Sequence, residues 1–217
     1  MIAAVVFDLD GVVIDSEPVW ERVRRQFVAD HGGRWPPDAQ QKLMGMSTPE
    51  WAFYLAEAAG VDMSPEKIAA EVIARMAHEY RAGLPLIPGA VEAVRRIGAR
   101  WPLAVASSSP PSLIATVLEL AGLADTFVAT VSSEEVPDGK PAPDVYLEAA
   151  RRLQVDPARC AAVEDSSNGI RAAAAAGMRV IAVPRPQYPP DPDALALAAV
   201  TLASIDELTP DVVAGSG

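Results

Sequence analysis

The chain has 217 residues, half of them hydrophobic, and a positive mean hydropathy of +0.16, enough for one sizeable core or a core plus a smaller lobe and too apolar for extended disorder. A net charge of −11 with no compensating basic patch opposes partners such as nucleic acid or an anionic membrane. The single cysteine, Cys160, rules out an internal disulfide framework, the opening MIAAVVFDLD lacks the basic region of a signal peptide, and no apolar run approaches the ~20 residues of a membrane span, so a soluble, cytoplasmic protein is expected.

In chain order, the first element is IAAVVF (2–7), a short apolar run rich in β-branched residues that reads as a strand buried on both faces. It runs into FDLDGVVIDSE, which sets Asp8 and Asp10 at the strand's carboxyl end, where unpaired carboxylates are costly. Two residues apart, they would point to one side if the chain stayed extended up to a turn at Gly11.

Residues 16–83 break the strand rhythm. EPVWERVRRQFVADHGG, TPEWAFYLAEAAG and SPEKIAAEVIARMAHEYRAG carry apolar residues at helical spacing with no strand between them. Ser47-Thr48-Pro49-Glu50 and Ser64-Pro65-Glu66 are helix start signals. A helical cap over 16–83 is therefore expected on a core of 1–15 and 84–217, with linkers at 15–18 and 83–88. Trp20, Trp35 and Trp51 are expected to pack the cap's own small core, and Lys42, Arg75, His78 and Arg81 to lie on a solvated face.

Beyond the insert, strand-like runs alternate with helical segments. PLAVAS (102–107) leads into Ser107, Ser108 and Ser109 and a helix opened by Pro110 and Pro111, where free backbone N–H groups and hydroxyls suit an anion and Ser109 is the expected N-cap. TFVATV (126–131) is followed by DGKPAPDVY, which holds Lys140, one of only three lysines in an arginine-rich basic set. CAAVED (160–165) ends in Glu164 and Asp165. RVIAVP (179–184), a Pro-rich loop over 183–194, a possible edge strand AAVTLAS (198–204) and a frayed tail over 212–217 complete the chain. Strand and helix in alternation predict a Rossmann-like α/β core with a parallel sheet and helices on both faces, and sites in such sheets form beyond the carboxyl ends of the strands. If the strands carrying Asp8 and Glu164 are neighbours, up to four carboxylates converge. Such a cluster needs a cation, and an oxygen-only set beside a phosphate site favours Mg2+.

With these residues in view, the sequence resembles the haloacid dehalogenase superfamily, in its subgroup of β-phosphoglucomutase-like and phosphoglycolate-phosphatase-like enzymes. FDLDGVVIDSE looks like its first motif, VASSS its second, GKPAPDVY its third and VEDSSNGIRAAAAAGM its fourth, all in family order, and the helical insert lies where that subgroup carries its cap. The resemblance implies that Asp8 attacks phosphorus to form an aspartyl phosphate and that Asp10 is the acid and base. It implies that Ser107, with Ser108 beside it, and Lys140 hold the phosphoryl group. Mg2+ would then be held by Asp8, Asp165 and Asp10 through its backbone carbonyl, with Glu164 supporting that shell. A mutase of this kind carries His, Arg and Lys in its cap where this chain is judged to have Trp20, Thr48 and Met76. The reading is therefore a Mg2+-dependent phosphatase of a small phosphorylated metabolite, a sugar phosphate or a phosphoglycolate-like ester, acting as a monomer or weak homodimer. A mutase is the alternative, and a non-catalytic binding module a more distant one.

Overall fold

The computed structural model describes residues 1–44 and 46–215. Six parallel strands, β1 (Ala4–Phe7), β2 (Leu103–Ser107), β3 (Ala129–Ser132), β4 (Cys160–Glu164), β5 (Arg179–Ala182) and β6 (Val200–Thr201), form one sheet in the order β3-β2-β1-β4-β5-β6. The chain builds outward from β1 to one side and then, from β4, to the other. The resulting switch point lies between β1 and β4, where the loops beyond the carboxyl ends diverge and leave a crevice.

Period-two alternation explains why the strands are apolar throughout. Val5 and Phe7 enter one core with Val105, Val163 and Ile181, while Ala4 and Val6 enter the opposite one with Ala106, Ala162 and Val180. Helices α5 (Ala90–Gly98), α6 (Pro111–Leu120), α7 (Asp144–Leu153) and α8 (Ser167–Ala175) connect these strands. The register pairs Phe7 with Val105 on β2 and with Val163 on β4, so Asp8, the serines after β2 and the acids of β4 meet at one edge.

Among the described residues, four helices stand in sequence between β1 and α5, α1 (Glu17–Asp30), α2 (Ala39–Leu43), α3 (Thr48–Glu57) and α4 (Pro65–Ala82). Helix α3 begins at the expected start signal and adds a capping box, in which the Ser47 backbone N–H donates to the Glu50 carboxylate at 2.8 Å. Helix α4 turns Ile68, Val72, Met76 and Tyr80, each four residues from the next, toward α1 and α3. The two chain crossings into this insert pair with each other. The Asp15 N–H donates to Pro85 O at 2.8 Å and the Ile87 N–H to Val13 O at 3.0 Å.

Several boundaries differ from the sequence reading. The third strand starts at Ala129 because Phe127 is committed to the core, edge-on to Phe7 at 6.1 Å. The stretch over 183–194 closes an Arg185–Tyr188 bridge and ends in helix α9 (Pro192–Leu195). The tail forms helix α10 (Pro210–Ala214), capped by Thr209 and held by buried Val213; of the residues expected to fray there, Ser216 and Gly217 lie outside the described residues. Ser109 does not cap α6. Pro110 occupies that position, and the Ser109 hydroxyl turns to Asp10 instead.

Candidate active site

β1 ends at Phe7, and the backbone N–H of Asp8 still bonds to Val163 O at 2.9 Å, which continues the pairing with β4 one step beyond the strand. The Asp8 side chain is 5% exposed and its Oδ1 accepts from Lys140 Nζ at 2.7 Å. The same ammonium donates to Glu164 Oε1 at 2.6 Å, and the Tyr146 hydroxyl adds a bond to that oxygen at 2.8 Å. Glu164 Oε2 accepts from the backbone N–H groups of Asp165 and Ser166 and from the Ser166 hydroxyl, at 2.9 to 3.0 Å. Both Glu164 oxygens are thus engaged within the protein, and the residue supports Lys140. Ser166, rather than either acid, caps α8 by accepting from the Gly169 N–H.

Asp10 is held differently. Its Oδ1 accepts from the Ser16 hydroxyl at 2.5 Å, and its Oδ2 from Ser109 at 2.8 Å and Ser107 at 3.1 Å. Asp8 and Asp10 therefore face one cavity but belong to separate networks. Gly11, at φ 80°, makes the turn that follows Asp10, and a Cβ there would overlap the Asp165 carboxylate.

Carboxylate oxygens of Asp8, Glu164 and Asp165 come within 4.8 Å of one another. Burial, joined by the Glu164 and Asp10 charges and opposed by Lys140, pushes the Asp8 carboxyl up to about 8. Burial, with Glu164 and Asp8 beside it, raises Asp165 well above the carboxylate range. Burial alone would lower Lys140, but the charges of Asp8 and Glu164 outweigh it and raise its pKa. Burial acts on Glu164 in the raising direction, yet Lys140 and its hydrogen bonds hold it below its ordinary value. Three acids against one ammonium leave an excess of negative charge. That donor set, all oxygen with no imidazole or thiolate in it, fits a hard divalent cation such as Mg2+.

These groups open onto a cavity of about 350 Å³, a size suited to a small metabolite. Ser108 and Ser109 lie on its wall, whereas Ser107 is fully buried behind them. The insert supplies the facing wall through Trp20, Arg24, Thr48 and Trp51, and the loop after β5 adds Arg185 and Tyr188. Trp20 and Trp51 do pack together, with ring centroids 5.9 Å apart, while half-buried Trp35 packs at the margin of the same cluster.

The cap does present a cation to the cavity, one the sequence reading did not name: Arg24 lines it, only 4% exposed. None of the four cap cations named from the sequence does. Lys42 pairs with Asp38 and Arg75 with Asp30 and Glu71, while His78 and Arg81 are exposed. Arg24 carried a signal that was overlooked, because four residues after Trp20 it falls on the apolar face of α1, beside Val19, Val23 and Phe27. Tyr146 and Ser16 were missed for a different reason: their partners, Glu164 and Asp10, are brought to them only by the fold.

A family model described as haloacid dehalogenase-like hydrolase matches residues 2–177. Hexitol phosphatase B of Escherichia coli (strain K12) is 39% identical over 214 residues, 96% of this chain and 95% of that protein. Fructose-1-phosphate phosphatase YqaB of the same organism is 33% identical over 184 residues, 83% of this chain and 96% of that protein. Among solved structures, CbbY from Rhodobacter sphaeroides in complex with phosphate superposes with a TM-score of 0.85 at 27% identity, covering 96% of each chain.

Proposed function

The chain belongs to the haloacid dehalogenase-like hydrolases, and from that premise we propose that it hydrolyses a small phosphomonoester, with Asp8 as nucleophile and Asp10 as acid and base. The observation that carries this reading is the division of labour between the two carboxylates. Lys140 occupies one oxygen of Asp8 and offsets its charge, leaving the other to attack, while Asp10 is held on the same cavity wall by three hydroxyls.

In the first step an Asp8 oxygen forms a bond to phosphorus as the bond to the ester oxygen breaks, and Asp10 delivers a proton to that leaving oxygen. In the second, Asp10 takes a proton from water, which attacks the aspartyl phosphate and frees Asp8 and inorganic phosphate. Ser108 and Lys140 hold the phosphoryl oxygens through these steps, while the Ser107 hydroxyl, buried behind that wall, holds Asp10. Asp8, Asp165 and the Asp10 backbone carbonyl, with Glu164 supporting them, would hold Mg2+, which when bound would supply positive charge beside the phosphoryl group. Glu164 keeps Lys140 in place, and the insert over 16–83 acts as a cap that keeps bulk water from the reacting atoms.

Sugar and polyol phosphates are the substrate class to test first, given the hexitol and fructose-1-phosphate phosphatases to which the chain is similar. A reducing, cytoplasmic setting is consistent with the buried free thiol of Cys160. Purified protein with Mg2+ should release p-nitrophenol from p-nitrophenyl phosphate, and Asp8→Asn should not; turnover that survives this change would sink the proposed nucleophile. With β-glucose 1-phosphate the expected product is free phosphate, and formation of glucose 6-phosphate without phosphate release would establish a mutase instead.

A further inference from the structure

Four cationic side chains line the cavity among the described residues, and three are already paired. Lys140 bonds to Asp8 and Glu164, Arg171 to Asp191 and Asp193, and Arg185 to Asp15. Arg24 differs from these. Among the described residues it has no carboxylate oxygen within 4.0 Å, and its Nε is buried without a hydrogen-bond partner. Its guanidinium carbon lies 4.4 Å from the ring centroid of Trp20 and 5.0 Å from that of Trp51, and those centroids are only 5.9 Å apart, so the indoles cover one side of it and leave its other N–H groups open to a partner. Glu17 shares the cavity, but its carboxylate accepts from Gln40 Nε2 at 2.8 Å. A buried guanidinium left in this condition is costly unless a ligand completes it.

We propose that Arg24 is a specificity-determining residue whose guanidinium edge binds a second anionic group of the substrate, a carboxylate or a second phosphate, at the cap end of the cavity while the scissile phosphate lies at Asp8 and Lys140. The inference rests on the phosphatase reading and refines its substrate class. Planar anions suit the site because two parallel N–H donors of a guanidinium match two oxygens of a carboxylate or phosphate. Contact with the two indoles restricts the guanidinium, so less freedom is lost on binding.

Two matched pairs of substrates test it: glycerol 3-phosphate against 3-phosphoglycerate for a carboxylate, and fructose 6-phosphate against fructose 1,6-bisphosphate for a phosphate. The wild type should favour the more anionic member of at least one pair. Arg24→Met should lower kcat/KM for that member by about 10- to 100-fold, mainly through KM, a loss well beyond any on p-nitrophenyl phosphate. Arg24→Lys should retain part of the preference. Because Arg24 stacks on two tryptophans, binding of the same compound to the Asp8→Asn protein should perturb indole fluorescence, and Arg24→Met added to that background should abolish the response. A wild type that hydrolyses p-nitrophenyl phosphate but shows no preference for the more anionic member of either pair overturns the inference. So does an equal loss on every substrate in a folded Arg24→Met protein. If Arg24→Met fails to fold, the wild-type preferences and Arg24→Lys decide. Failure of the phosphatase reading is separate, since it would appear as an inert wild type on p-nitrophenyl phosphate, and the fluorescence titration would still report on Arg24.

Discussion

Lys140 Nζ lies 2.7 Å from Asp8 Oδ1 although 132 residues separate the two in the chain, and both side chains are almost wholly buried. The same ammonium pairs with the buried Glu164 carboxylate at 2.6 Å and holds its pKa down, so removing Lys140 strands the Glu164 charge, which costs about 3–5 kcal/mol. Lys140→Met should therefore lower the urea midpoint of the metal-free protein, with Mg2+ restoring part of the loss, and should eliminate turnover. Lys140→Arg should not recover activity, because a planar guanidinium is too wide for the space between Asp8 and Glu164. An unchanged urea midpoint in Lys140→Met would show that the pair does not matter to stability.

Mg2+ should stabilise the folded chain and invert its response to pH. The Asp8 carboxyl is raised from 3.8 to about 8 by burial, so the metal-free folded state holds a proton there that the unfolded chain releases. Wherever the folded state binds more protons, stability falls as pH rises, and Asp8 places that loss between about pH 4 and pH 8. A bound cation should remove the penalty. At a hundredfold excess over Kd the gain is about 2.7 kcal/mol, a rise in Tm of about 5–10 °C for a chain of this length. Thermal melts from pH 5 to pH 8 with and without Mg2+ measure it, and Asp165→Asn should abolish the shift.

Gly169→Ala should damage the site from outside it. A Cβ at Gly169 would overlap the Glu164 carboxylate, which cannot withdraw without releasing Lys140, Tyr146 and the Asp165 and Ser166 amides. The expected cost is about 1–3 kcal/mol, with loss of activity beyond what the lower stability explains. Gly83→Ala is the control, since nothing lies within 4 Å of a Cβ there. Its stability should change by less than about 0.5 kcal/mol. Equal effects at the two glycines would argue against the Glu164 contact.

Acid should release a clamp remote from the cavity. Glu148 accepts from Arg151 and Arg152, and those bonds hold its carboxyl at about 2, below its ordinary value of 4.5. A depressed acid stabilises the fold above its unfolded pKa, and that contribution is lost as pH falls from about 4.5 through about 2. Because Arg151 is largely exposed, solvent screening limits the effect to about 1 kcal/mol or less. Glu148→Gln should be less stable than wild type at pH 7, with the gap closing toward pH 2. A gap that persists undiminished at pH 2 would locate its origin elsewhere.

Much of the fold was legible because its signals are local. Each apolar run of the sheet is contiguous, and every one contains an observed strand, while the absence of such runs over 16–83 marks the four-helix insert. Asp8, Glu164 and Lys140 could be named because each sits in a short motif at an element's end. Ser109 misled because an N-cap is inferred from local order alone, whereas its hydroxyl is taken by Asp10, 99 residues away in sequence.

From its sequence alone this protein could be assigned a parallel α/β core, a helical insert and the residue types of a phosphoryl-transfer site, since periodicity, turn residues and motif order are properties of neighbouring positions. Only the tertiary structure decided which oxygen of each carboxylate is occupied, that Glu164 is saturated by donors, and that Arg24 stands against two indoles at the cavity wall. Those outcomes depend on the packing of segments far apart in the chain, where burial and the supply of partners set the state of each charge.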